Sequence, residues 1–275
     1  MTGRRLLHLI LYIMRKMRDP YYAGAPAELA FFFLLSMVPL TIVLGELLGV
    51  FSISMNWIYA ILGQYAPSEV ASALRPYINY HPSTSMNLTF LALAVWASSR
   101  GQYSLIRISN YAYEHGGICY SYFHERIRAV KTVILTLFMI AFSLIILIYG
   151  ESILKVVAIY FNQTFSIAFT VRSTWLIVRW PFALSVYFLM ISYTYLVLPA
   201  EKLTFKEVIP GSVFSSLMIL VSSIIYSNFA VGFRGAGVLY GSLTTIVSLL
   251  FWFYVIGFIL VVGIQLNIAW QKVKD

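Results

Sequence analysis

The sequence predicts an all-α polytopic membrane protein with six transmembrane helices and amphipathic interfacial helices, one membrane domain over residues 1–275. Three observations carry this expectation. Of the 275 residues, 60% are apolar and 11% charged, whereas soluble domains run at about half apolar and about a quarter charged. A soluble core of this length would leave much of that excess on its surface, whereas hydrocarbon lets the outer face of each helix be apolar too. Second, crossing ~30 Å of hydrocarbon takes ~20 apolar helical residues, and the charges are spaced to leave such runs. Third, the cations sort to one side of the spans, as the positive-inside rule requires.

The elements follow in order. The stretch 4–18 is apolar between cations. Arg15, Lys16 and Arg18 stand where a cleavable leader would need small residues, so it reads as an inner-surface helix. The first span covers about 27–51, with Pro26 at its first helical position. The second, about 87–111, is the shortest apolar run and reaches full length only if the helix continues through Arg100. The third (131–150), fourth (177–199), fifth (208–230) and sixth (244–270) follow. Two outer segments are longer than turns. From Pro67, with Ser68, a helix start leads to Val70, Leu74, Tyr77 and Ile78 on one face. Residues 153–169 are apolar without forming a span, and are expected along the outer interface or folded over the bundle.

With both termini inside, the cytoplasmic face gathers Arg4, Arg5, Arg15, Lys16, Arg18, Arg100, Arg107, Arg126, Arg128, Lys131, Lys202, Lys206, Lys272 and Lys274. Only Arg75, Lys155, Arg172, Arg179 and Arg234 fall outside. Five or seven spans would scramble this bias. The net charge of +9 therefore reads as membrane anchoring. Cations this scattered would neutralise too few phosphates for nucleic-acid binding. The lone Cys119 excludes a disulfide framework. His8, His81, His115 and His124 are scattered, and no carboxylate cluster, Walker A or Gly-x-Ser-x-Gly element is present. No catalytic residues, metal site or cofactor are expected, and the chain reads as a non-enzyme.

Several stretches resemble a known family. Ala30-Phe-Phe-Phe-Leu-Leu-Ser-Met-Val-Pro-Leu40 is similar to the AxxYxxLLSxxPL signature of the YihY/BrkB family of bacterial inner-membrane proteins. Val95-Trp-Ala-Ser-Ser99, Val208-Ile-Pro-Gly211, Leu239-Tyr-Gly-Ser-Leu243 and Gly263-Ile-Gln-Leu-Asn267 resemble further elements of that family, in the same order. The resemblance implies an inner-membrane, multi-pass location. The family has been linked to envelope-lipid handling and serum resistance, and it long carried a ribonuclease label. Two positions depart from the pattern. Gln265 replaces the usual Glu, which speaks against proton coupling through that group, and Glu28 replaces a small residue.

Ionisable groups within a membrane are candidate functional residues. Glu28 serves either as helix-start chemistry in the first turn of span one or as part of a site, and Glu46 is either solvated or a coupling group. Glu151 and Lys155 have the spacing of an exposed helical pair. Pro39 removes a mid-span backbone donor near Leu35 and Ser36, either as a packing kink or as the broken helix of a transporter. Arg100, Arg107, Asn110 and Glu114, with Tyr103 and Tyr111, recur at helical spacing. That face is either an anchor or a lipid-phosphate site, since guanidinium binds oxyanions bidentately. Arg234, Gly235, Gly237, Tyr240 and Gly241 form a candidate gate, with Gly232 before them. Gly263 and Asn267 share a face suited to close packing, and Gln265 and Asn267 are candidate substrate contacts. The expected function is transport or translocation of an envelope lipid or other amphipathic or anionic solute, with membrane lipids as partners. A non-transporting scaffold for envelope assembly is the alternative, a proton or ion antiporter a third, and a homo-oligomer or assembly partner stays open.

Overall fold

A computed structural model describes residues 3–50, 88–113, 121–165, 171–232 and 242–274. They form helices α1 (Gly3–Met17), α2 (Pro20–Val50), α3 (Leu88–Ser98), α4 (Arg100–Tyr113), α5 (Tyr122–Phe165), α6 (Val171–Val197), α7 (Phe205–Gly232) and α8 (Ser242–Lys274). No strand occurs among the described residues. Within these, Pro20–Gly45, Phe205–Tyr226 and Ile246–Lys272 are long and apolar enough to cross a membrane, and Leu184–Val197 is a shorter apolar helix.

Local chemistry sets the helix ends, and it corrects one expectation. The start signature assigned to Pro26 belongs six residues earlier. Asp19 Oδ1 accepts the Tyr21 N–H at 3.0 Å, and Pro20 opens α2, so Asp19 is the N-cap and Pro20 the first helical residue. Pro26 therefore lies inside α2, and Glu28 is more than two turns from the helix start. At α7, Glu207 reaches back to accept the Thr204 N–H at 2.6 Å, the carboxylate half of a capping box.

The second apolar run continues past Arg100 as expected, but it breaks at Ser99, where α3 ends and α4 begins. Residues 153–165 are not a separate outer segment. They continue α5, whose 44 residues extend about 66 Å at ~1.5 Å per residue. Gly150 is the only weak helix former at the junction, and one glycine costs ~1 kcal/mol, too little to end a helix whose flanks propagate well. The 67–78 segment, Glu114, Cys119 and residues 233–241 lie outside the described residues, as do the side chains of Glu46, Glu151 and Lys155.

The helices close into a ring. α8 packs on α2 and α7, α7 on α6, α6 on α5, and α3 and α4 join α5 back to α2, while α1 lies against α8. One end of this ring collects the starts of α2, α5 and α7, the ends of α4, α6 and α8, and α1. Lipid-compatible side chains face outward, among them Phe31, Leu35, Phe138, Phe142, Ile224 and Ile225. Hydroxyls and amides turn inward, including Ser104, Thr132, Ser192, Ser212, Gln265 and Asn267. The core itself is mainly apolar, and an outer face that is apolar as well is expected where the solvent is hydrocarbon.

Candidate functional site

The end of the ring that carries α1 holds most of the described polar contacts between helices. Glu28 of α2 meets α4 there. Its Oε1 accepts from Arg107 Nη2 at 2.7 Å and from Ser104 Oγ at 2.8 Å. It is the one ion pair among the described residues, with side chains 44% (Arg107) and 30% (Glu28) exposed. One turn on, Asn110 is buried and joins three helix ends. Its amide donates to Glu125 Oε1 at 2.8 Å and its carbonyl oxygen accepts the Ala200 N–H at 2.9 Å. Arg128 donates to the carbonyls of Val197 and Leu198 at 3.0 Å and to that of Pro199, closing the end of α6, as cations at helix C-termini do.

Arg126 is the unexpected member. It sits in the second turn of α5, only 2% exposed. One guanidinium nitrogen donates to the Trp96 carbonyl at 2.6 Å, beside the break at Ser99, and the same carbonyl accepts from Ser99 Oγ at 2.7 Å. The guanidinium lies 4.5 Å from the Trp96 ring centroid and 5.6 Å from that of Tyr103, within cation–π range. Its Nε is buried without a partner. Burial lowers its pKa, and Arg100 pushes in the same direction.

The α7–α8 crossing is the tightest contact between the described helices. The Gly211 N–H donates to Asn267 Oδ1 at 2.6 Å. A Cβ on Gly211 would collide with the Gly263 carbonyl, and one on Gly263 with Ser215 Oγ and the Tyr195 hydroxyl. Tyr195 donates to the Leu260 carbonyl at 2.9 Å and shares a hydrogen bond with Ser215 at 2.7 Å. Gln265 is buried beside Tyr22. Asn267 Nδ2, Ser109 Oγ and Ser192 Oγ are buried without partners. Further along the ring axis lies an apolar cavity of about 260 Å³, lined by Phe33, Met37, Leu40, Thr41 and Leu44 of α2, Leu137 and Ile140 of α5, and Phe253 of α8. Of these lining side chains only Leu137 is fully buried, so the space is an open apolar cleft rather than an enclosed chamber.

These placements sort the candidates. Gln265 and Asn267 are buried at the inner seam, with Asn267 in helix packing as its spacing suggests. Ser36 bonds its own helix, donating to the Phe32 carbonyl at 2.6 Å. Pro39 lies in α2 between cavity-lining residues on either side. The expected cationic face is divided instead. Arg107 is neutralised by Glu28, Asn110 turns inward to Glu125, Tyr103 sits between Arg107 and Arg126, and Arg100 stays exposed. Sequence reasoning placed Arg126 in a loop. Yet the buried stripe Val133–Leu137–Ala141, extended backward at helical spacing, reaches Ala129 and then Glu125 and Arg126.

These helices, apolar on their outer faces as well as in their core, are those of an α-helical membrane protein. A family model described as virulence factor BrkB matches residues 13–275, and the chain belongs to that family. It is also similar to the ribonuclease-like protein YfkH of Bacillus subtilis (strain 168), 27% identical over 252 residues that make up 90% of each chain. No solved structure matches it.

Proposed function

We propose that this chain is a six-span inner-membrane translocator for an amphipathic, anionic solute such as an envelope lipid, with both termini cytoplasmic. The observation that carries the reading is the open apolar cleft between α2, α5 and α8, beyond an end of the ring closed by polar contacts. A static scaffold gains nothing from an apolar cleft left unfilled between its own helices. A translocator closed on one side leaves such a cleft above its seal. The volume is below the ~300–1,000 Å³ usual for ligand pockets, so it suits part of an acyl chain rather than a whole amphiphile. Pro39 falls in α2 between the lining residues Met37 and Leu40, and proline-interrupted helices are where transporters build sites.

Orientation rests on charge. The end that carries α1 also carries Arg15, Lys16, Arg18, Arg107, Arg128, Lys202, Lys206 and Lys272, the bias of a cytoplasmic face. Helix α1 buries Leu9 while Ile10, Leu11 and Met14 are exposed, an apolar strip suited to the membrane interface. Hydrolysis of RNA, which the name of the Bacillus relative evokes, needs converging metal-binding or acid–base groups. No three His, Cys, Asp or Glu side chains converge among the described residues.

The test is reconstitution into vesicles with a fluorescent anionic lipid in one leaflet. Wild-type protein is expected to speed its transfer, and Thr41→Trp, which fills the cavity, to abolish the gain while the protein stays folded. Absence of any flux for wild-type protein, with a stable envelope partner recovered instead, would establish the scaffold reading.

A further inference from the structure

Arg126 is a desolvated cation without an anion. Its only described hydrogen bond goes to a neutral carbonyl, and its Nε has no partner. The two nearby carboxylates are engaged elsewhere, Glu28 with Arg107 and Ser104, Glu125 with Asn110. The charged neighbour whose field reaches Arg126 is Arg100, a like charge. The C-terminal turn of α3 and the Trp96 and Tyr103 rings offset part of the charge. A helix end supplies only about half an elementary charge, against one buried guanidinium and a second beside it. Such an arrangement is unfavourable unless an anion completes it.

We infer that the flank where α3 breaks against α5 binds the phosphate of an anionic phospholipid, held by Arg126 and Arg100. Guanidinium and phosphate oxygens match in a two-bond fork, and Arg126 Nε is one free donor of that fork. Arg100 is exposed at the entrance. The surroundings favour a lipid over a free anion, because Leu93, Trp96, Tyr122, Phe123 and Ile127 around the arginines are exposed apolar side chains. Acyl chains would lie along these while the headgroup sits at the depth of the break. Trp96, 39% exposed, covers the guanidinium and must shift to admit the phosphate. The site lies on the flank of the ring, outside the cavity. It rests on the membrane placement proposed above and holds whether or not the protein moves lipid.

The experiment uses full-length protein in nanodiscs of phosphatidylcholine containing a minor fraction of phosphatidylglycerol, with retained lipid counted by native mass spectrometry. Wild-type protein is expected to retain phosphatidylglycerol at least fivefold over its share of the mixture. Arg100→Ala, at an exposed position, is expected to cut that enrichment at least threefold with an unchanged melting curve. Arg126→Lys keeps the charge but not the fork, and should fall between the two. No enrichment by wild-type protein, or enrichment that survives both substitutions, overturns the assignment. Displacement of the lipid by millimolar inorganic phosphate overturns the lipid and points to a free-anion site. Loss of flux in the vesicle assay with enrichment intact sinks the translocator reading and leaves this one standing.

Discussion

Replacing Gly211 by alanine tests the α7–α8 crossing directly. The added Cβ would fall on the Gly263 carbonyl oxygen and on Asn267 Oδ1. One of these is backbone and cannot rotate away, so the helices must separate. Overpacking of this kind costs ~1–3 kcal/mol. Separation also breaks the bond from the Gly211 N–H to Asn267. The Asn267 Nδ2 has no partner, so its buried amide would lose its described bond as well, a further ~1–3 kcal/mol. The combined loss is about 2–6 kcal/mol, read by reversible unfolding in mixed detergent micelles. Gly24→Ala is the internal control, because nothing lies within 4 Å of a Cβ there and alanine gains ~0.5–1 kcal/mol over glycine in a helix. A Gly211→Ala protein within ~0.5 kcal/mol of wild type, the spread of ordinary surface changes, would refute the reasoning.

The remaining expectations mostly concern the end of the ring that carries α1. Asn110→Ala strips Glu125 and the Ala200 N–H of their partner at once, and should destabilise by about 2–4 kcal/mol in the same unfolding assay. Arg128→Ala exposes the terminal carbonyls of α6 and should cost about 1–2 kcal/mol, with hydrogen exchange rising first near residue 198. Glu28→Gln is expected to cost under ~1 kcal/mol, an effect that fades in high salt because the pair is partly exposed. Cys119 should resist an impermeant thiol reagent on intact cells and react once the membrane is opened; rapid labelling from outside would invert the topology.

The long helices are legible in the sequence because hydrocarbon demands long uncharged runs, and such runs survive any packing detail. Gly263 and Asn267 are legible for a similar reason, since small and amide residues on one face signal close approach. What fails is chemistry set by distant partners. Pro26 carries the same start signal as Pro20, and only the Asp19 cap separates them. Nothing in Val95–Arg100 marks a break, because no proline stands there and the Trp96 carbonyl is held by Arg126, thirty residues on. The cationic face divides for the same reason. Arg107 finds Glu28 across 79 positions, and Asn110 finds Ala200 across 90, separations that helical periodicity does not encode.

The contacts at the end of the ring that carries α1 differ in kind, and that difference bears on which of them could yield. The α7–α8 crossing joins close backbone approach to the bond from the Gly211 N–H to Asn267 Oδ1, so any separation there costs several contacts together. At the α2–α8 crossing a Cβ on Gly257 would also be crowded, 3.1 Å from the Pro26 carbonyl and from Leu29 Cβ. The α2–α4 seam combines the Tyr21–Tyr111 ring contact at 4.0 Å and the close approach of Gly101 to Phe33 with Glu28 and Arg107, a pair that water reaches on both sides. An exposed ion pair contributes at most ~1 kcal/mol, which shifts a two-state equilibrium by about fivefold. That is enough to bias a closed state and too little to lock it. For the translocator proposed above, the Glu28–Arg107 pair is the contact at this end that would yield first.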